Sequence, residues 1–350
     1  MKRWMWLFAG IWLMMAGTSC TTDFEIAADY KEVMLVYGLL NQQEEDHYIR
    51  IQRAYLDKAE SALSFTNNPD SIYYPDILNV TVTEIQTNRT FNLERVEVNA
   101  LGDPIDKDTG TFVQAPHYLY RFSNALNPNN TYRLRVENTV TGKVVTAETS
   151  LVKDFNVVRP FRTQALNWLS PSQILTFWNL AENGRIHDLI VRFHWSIADP
   201  NNPFVRIGRD SVDWPVFQSV DYFQETPQYN IDPEQFFIAI DNFVEPDPSV
   251  IRYFDSMTYI FRVGNRALSD YINFSQVQSG ITQDLAGTQF TNMEGENAYG
   301  IFAARYLQKV TGVLINDQSR DSLACGDRTN DLSFAPRNDP NKYPNYPYCN

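Results

Sequence analysis

The residues of this chain that could do chemistry are few and scattered: four histidines, three cysteines and many acids along 350 residues. His187 and His194 lie seven apart on one expected strand, so side-chain alternation sends them to opposite faces, where they cannot share a metal ion. His47 and His117 fall in other expected strands or at their edges, and all four read as isolated surface or edge histidines. The chain has no His-Glu-x-x-His helix, no Gly-x-Ser-x-Gly elbow and no phosphate-cradling glycine loop. Acids such as Glu44-Glu45-Asp46 are too common to nominate a pair for glycoside hydrolysis without geometry. Asp106-Lys107-Asp108-Thr109-Gly110 has the opening of a calcium loop but lacks the later ligands, and it reads as a polar turn. No catalytic residue, metal or cofactor is expected, and the chain reads as noncatalytic.

The cysteines speak about location. Lys2 and Arg3 precede an apolar run from Trp4 to Ala16, and Gly17-Thr18-Ser19 place small residues directly before Cys20. That is the layout of a secretory signal, and its apolar run is shorter than the roughly 20 residues of a spanning helix. The triplet before Cys20 resembles a bacterial lipobox, which makes Cys20 the expected lipidation site and membrane lipid the first expected partner. The same residues also suit a secreted protein cut nearby, or an uncleaved anchor. Cys325 and Cys349 are then the candidate disulfide in an oxidising compartment, closing a Pro- and Asn-rich tail at a gain of about 3 kcal/mol. No histidine lies near either, so a zinc site is not expected.

Loss of residues 1–19 takes the formal charge from −13 to −15. Such a surface repels phosphates, and no nucleic-acid partner is expected. The remaining 331 residues suit about two domains. The sequence divides into a signal peptide at 1–19, a tether at 20–31, a first domain at 32–152, a second at 153–324 and a tail at 325–350.

The elements expected to position these residues are mostly strands. Val33 to Leu40 is an apolar run, Asn41 to Asp46 a turn, and His47 to Arg53 an alternating strand with Ile49 and Ile51 on one face. Leu56 to Phe65 reads as a short helix or an irregular excursion. Further strands are expected at Val80 to Ile85, Phe91 to Val98, His117 to Phe122, Thr131 to Glu137 and Lys143 to Thr149, with breaks at Gly102-Asp103-Pro104, Asn127 to Asn130 and Asn138 to Gly142. Short strands at this spacing predict an immunoglobulin- or fibronectin-like β-sandwich, making the chain mainly β.

Beyond Leu151 a β-rich domain with a few inserted helices is expected. Ser172 to Leu180 and Ile186 to Trp195 read as a hairpin, the second strand placing Leu189, Val191, Phe193 and Trp195 on one face. Ser211 to Phe217 is another strand. Asp232-Pro233-Glu234 opens a helix with Phe236, Phe237 and Ile240 as its buried stripe. Tyr253 to Val263 is a strand and Asn265 to Val277 a short helix. Tyr299 to Ile315 reads as two strands turning near Thr311-Gly312.

Val36-Tyr37-Gly38-Leu39-Leu40, Tyr48 to Leu56, Asp70-Ser71-Ile72-Tyr73-Tyr74, Leu134 to Gly142, Phe290-Thr291-Asn292-Met293 and Gly300 to Arg305 together resemble a family of uncharacterised Bacteroidota outer-membrane lipoproteins. Members are often encoded beside TonB-dependent receptors. The resemblance implies a lipid-anchored outer-membrane protein exposed at the cell surface, with a TonB-dependent receptor as partner. Asp23, Glu25 and Asp29 in the tether are similar to a surface-export signal, and they equally suit a solvated linker. Asp70-Ser71-Ile72, Asp210-Ser211-Val212, Asp255-Ser256-Met257 and Asp321-Ser322-Leu323 are similar to a Bacteroidota O-glycosylation sequon.

Aromatic residues make up 14% of the chain, a high share that first suits the packing of β cores; the alternative is exposed Tyr and Trp offering flat surfaces to sugars, peptides or a partner protein. Trp214, Tyr222 and Tyr229 are the candidate ligand-binding residues. The leading expectation is a binding accessory to a transporter in nutrient uptake. An adhesin or envelope scaffold stands second, and a hydrolase without recognisable motifs third.

Overall fold

The computed structural model describes residues 31–56, 69–101, 116–278 and 290–336. The signal peptide, Cys20, most of the Leu56 to Phe65 excursion, the break at Gly102-Asp103-Pro104, the turn at Asp106 to Gly110 and Cys349 with most of its tail lie outside these residues. Among the described residues, no helix is long and apolar enough to cross a membrane.

The sequence alternates where one face must be buried, and the first domain follows that pattern. Its elements are β1 (Lys31–Leu40), β2 (Asp46–Leu56), the single-turn α1 (Pro69–Ile72), β3 (Leu78–Glu84), β4 (Arg89–Asn92), β5 (Glu94–Glu97), β6 (Tyr118–Ser123), β7 (Thr131–Asn138) and β8 (Val144–Ser150). Leu78, Val80 and Val82 of β3, and Tyr132, Leu134 and Val136 of β7, point inward from a four-stranded sheet ordered β4-β3-β7-β8. They meet Met34, Val36, Ile49, Ile51, Tyr120 and Phe122 from the facing sheet, and the two layers form a β-sandwich. Phe91 to Val98 is not one strand as expected: it breaks at Leu93, so that β4 pairs with β3 in one sheet and β5 with β6 in the other.

The second domain comprises β9 (Val157–Arg159), β10 (Ala165–Leu166), β11 (Ile174–Trp178), β12 (Ile186–Asp199), β13 (Asn202–Asp221), β14 (Gln228–Ile231), α2 (Pro233–Phe243), β15 (Ile251–Gly264), α3 (Arg266–Gln278), β16 (Ala298–Ile315) and α4 (Asp317–Cys325). Leu189, Val191, Phe193 and Trp195 share the buried face, as alternation predicts. The expected hairpin between β11 and β12 does not form. β12 pairs with β13 and β15, whereas β11 joins β14 and β9 in a separate sheet whose Trp178 packs on Phe217 and Phe261. Both strands carry apolar inward faces, and they meet face to face rather than edge to edge.

One strand joins the two domains. The large sheet runs β13-β12-β15-β16-β1-β2-β6-β5, and β16 belongs to both halves. From Ala298 to Ala304 it lies parallel to β1, and from Arg305 to Val313 antiparallel to β15. The first core is therefore completed by Met293, Ala298, Phe302 and Ala304, from well beyond residue 153. Tyr299 to Ile315 is one strand instead of the expected two. Thr311 and Gly312 form a bulge, as Met257 pairs with Val313 and Tyr259 with Val310, and Gly312 takes φ +77° there. A glycine is compatible with either a turn or a bulge, and the continuous pairing with β15 settles it.

Side-chain caps set the helices. The Asp232 carboxylate accepts from the Glu234 amide at 3.0 Å, and Phe236, Ala239 and Ile240 are buried beyond it. Asn316 caps α4, a helix not foreseen from the sequence, by accepting from the Ser319 amide at 2.9 Å. Cys325, at the end of α4, is disulfide-bonded.

Candidate functional site

Alternation on β1 and β2 leaves a second set of side chains facing away from the sandwich core. Tyr37 and Leu39 point outward from β1, and Tyr48 and Arg50 from β2, because Val36, Leu40, Ile49 and Ile51 point inward. Helix α3 rises over this outer face. Between helix and sheet lies a groove of about 430 Å³, lined on the sheet side by these residues with Leu119 and Ile301, and on the helix side by Leu268 and Tyr271. That volume lies within the range of small-ligand sites.

The helix is fixed to both domains. Asn265, just before it, donates to the Thr149 hydroxyl at 2.7 Å and the Ser150 carbonyl at 3.1 Å, and its own amide donates to the Ala304 carbonyl at 3.0 Å. Its side-chain oxygen caps α3 through the Leu268 amide. One turn on, the Ser269 hydroxyl donates to Asp221 at 2.7 Å, and Arg185 lies 3.5 Å from the same carboxylate. The groove walls therefore belong to one frame.

Tyr37 meets Tyr271 edge-on at 6.4 Å, and the Arg50 guanidinium lies 4.7 Å from the centre of the Tyr37 ring. Burial, and then the neighbouring Tyr271, push the Tyr37 phenol above its ordinary pKa, so it remains a hydrogen-bond donor at neutral pH. At the rim Arg305 pairs with Glu44 at 3.3 Å, and the Asn41 amide donates to the same Glu44 oxygen at 2.8 Å. A second hollow of about 400 Å³, bounded by Gln43, Glu44, Leu307 and Lys309, adjoins this rim.

The residues nominated from the sequence do not form this site. Trp214 is only 8% exposed, with its ring 6.1 Å from Trp168. Tyr222 packs edge-on to Trp178 at 5.1 Å, and Tyr229 lies 4.7 Å from Phe217. The three belong to or rest on the second core and make no exposed platform. Trp214 pairs across the sheet with Val191, an inward residue, so alternation turns the indole inward as well. Tyr37, Tyr48, Arg50 and Tyr271 were missed, although the inward Ile49 and Ile51 already implied that Tyr48 and Arg50 face outward.

The histidines are less exposed than expected. His187 is fully buried, with Nδ1 3.1 Å from the Arg185 carbonyl and its ring between Trp178 and Tyr222, and burial lowers its pKa to about 4. His47 is 2% exposed beside Phe122, and burial lowers its pKa too. His117 is buried at the groove edge. His194 lies on the face opposite His187, as alternation requires, with Nε2 3.0 Å from the Thr258 hydroxyl. No group of three or more His, Cys, Asp or Glu able to hold a metal occurs among the described residues. Of the four sequon-like serines, Ser211 is exposed on β13, and Ser71, Ser256 and Ser322 are half-buried.

No family model matches the chain, and no curated protein matches it. Among solved structures it is similar to the C-terminal globular domain of an oligosaccharyltransferase from Pyrococcus abyssi, at 8% identity and a TM-score of 0.19. The alignment covers 80% of this chain and 48% of that one, so the chain spans about half its length, and similarity so slight carries no argument about activity.

Proposed function

We propose that this chain is a noncatalytic, lipid-anchored outer-membrane protein, exposed at the cell surface, that binds a nutrient as accessory to a TonB-dependent transporter. Cys20 carries the lipid, and the junction groove takes the ligand. The observation that carries the binding part is the convergence of Tyr37, Tyr48, Arg50 and Tyr271 on one hollow whose walls come from both domains. A groove fixed to a shared strand is ordered before its ligand arrives, which lowers the cost of binding. The leader and the small residues before Cys20 support the anchor.

The test is a pull-down of the tagged lipoprotein from detergent-solubilised outer membrane, with co-purified proteins identified by mass. A stoichiometric TonB-dependent receptor is the expected result. Recovery of the lipoprotein alone, with surface labelling intact, would sink the stable-complex part of the reading.

The second reading, an adhesin or envelope scaffold, draws on a different feature. Phe204, Val205 and Ile207, near the tip of the β12–β13 hairpin, are 69%, 51% and 63% exposed. Apolar side chains grouped at a tip suit contact with another protein. Binding to host or matrix protein that is lost on changing Phe204 and Ile207 to Ser would favour it.

A further inference from the structure

We infer that the junction groove selects an organic anion, a carboxylate attached to a flat apolar body, with Arg50 as the residue that reads its charge. This rests on the groove being the ligand site, and deepens that reading by naming a ligand class.

Charge is distributed unequally in the groove. Its lining holds two guanidiniums, Arg50 and Arg305, and one carboxylate, Glu44. Glu44 is committed to Arg305 at 3.3 Å and to the Asn41 amide at 2.8 Å. The nearby acid Glu97 accepts from the His117 amide at 2.9 Å and the Asn99 amide at 3.4 Å. Arg50 forms no ion pair among the described residues. Its placement comes instead from the Tyr37 ring. A cation held by a ring's quadrupole keeps its N–H groups for another acceptor, and the planar guanidinium matches a carboxylate with two parallel hydrogen bonds.

Beside His117 and the rings of Tyr37, Tyr48 and Tyr271, the remainder of the lining is apolar. Leu39, Leu119, Leu268 and Ile301 bound the hollow. A ligand that is charged at one end and flat and apolar elsewhere satisfies both halves. A neutral polar molecule would leave Arg50 without a counter-charge, and a purely apolar one would desolvate it. Arg50 is exposed, so solvent screening keeps its contribution modest, about threefold to fivefold in affinity.

The experiment titrates the full mature chain calorimetrically with 2-naphthoate and with its neutral counterpart 2-naphthamide. The expected result is about threefold to fivefold tighter binding of the carboxylate, levelled by Arg50→Gln and partly retained by Arg50→Lys. Leu268→Trp, which fills the groove, should abolish binding of both compounds, with thermal midpoints of all variants checking the fold. Equal affinity for the two compounds in the unaltered chain overturns the anion inference and leaves the groove as the site. Failure of both to bind, or binding that survives Leu268→Trp, overturns the groove reading and the anion inference with it.

Discussion

Gln43 stands in for a missing strand beside Leu307. Its side-chain amide donates to the Leu307 carbonyl at 2.8 Å and accepts from the Leu307 amide at 3.0 Å, reproducing the two hydrogen bonds a neighbouring strand would make. The need arises because β1 ends at Leu40, opposite Ala304, while β16 continues for another eleven residues. On that side, between the end of β1 and the stretch from Gly312 that meets Thr163, Gln164 and β10, β16 would otherwise present bare backbone groups.

Gln43→Ala should therefore destabilise the protein by about 1 kcal/mol, the scale of a partly exposed hydrogen-bonded pair. Gln43→Glu should do no better, because a carboxylate cannot donate to the Leu307 carbonyl. Urea unfolding of the three chains gives the comparison, and equal midpoints would show that water serves Leu307 as well as Gln43 does.

Gly300 of β16 lies opposite Val36 of β1. Its φ is +124°, and a Cβ added there would sit 1.9 Å from the Val36 carbonyl oxygen, inside any permitted contact. The atoms it meets are the Val36 backbone, which has no room to yield, so Gly300→Ala should cost several kcal/mol and lower the yield of folded protein sharply. Gly38→Ala is the control: its added Cβ meets the Phe302 ring at 2.9 Å, and a side chain can shift. Soluble yield and denaturation midpoints should rank the unaltered chain first, Gly38→Ala second and Gly300→Ala last.

His187 makes stability depend on pH. Burial lowers its folded-state pKa from the ordinary 6.5 to about 4, so the unfolded chain takes up the proton first as pH falls. The neutral ring's contribution is fully present above pH 6.5 and is lost progressively down to about pH 4, an upper bound of about 3 kcal/mol at 1.36 kcal/mol per pKa unit. His47 acts in the same direction. Unfolding free energy measured across this window should fall less steeply for His187→Leu than for the unaltered chain. Parallel curves would remove His187 as the cause.

Local patterns made much of the fold legible, and the failures share one physical origin. The inward Leu189, Val191, Phe193 and Trp195, and the Asp232 cap with Phe236 and Ile240, follow from period and capping within a few residues. Which strand pairs with which does not follow from them. The split of β4 from β5 at Leu93, the separation of β11 from β12 and the continuity of β16 through Gly312 depend on contacts between residues distant in sequence. The groove was half legible. Tyr48 and Arg50 were outward by alternation, but nothing local to Tyr271 or Leu268 says that α3 lies over β1, because Thr149, Ser150, Ala304 and Asp221 fix that helix from elsewhere in the chain.

Trp214 and Tyr271 separate stability from recognition. Both are aromatic, but Trp214 is buried against Trp168, which itself stacks on Phe236 at 4.6 Å, whereas Tyr271 lines an open groove. Trp214→Ala removes a core indole and should cost about 3–5 kcal/mol in unfolding free energy, the range for large-to-small aromatic substitutions. Where that variant still folds, its affinity for a groove ligand should be unchanged. Tyr271→Ala should have the opposite profile: a stability loss near 1 kcal/mol, since half-buried groove residues leave little cavity, with ligand affinity reduced at least several-fold. Calorimetric titration beside chemical denaturation of both variants reads the two quantities independently. If Trp214→Ala weakened binding without affecting stability, the recognition surface would belong with the aromatic residues of the second domain, and the groove under α3 would lose its role.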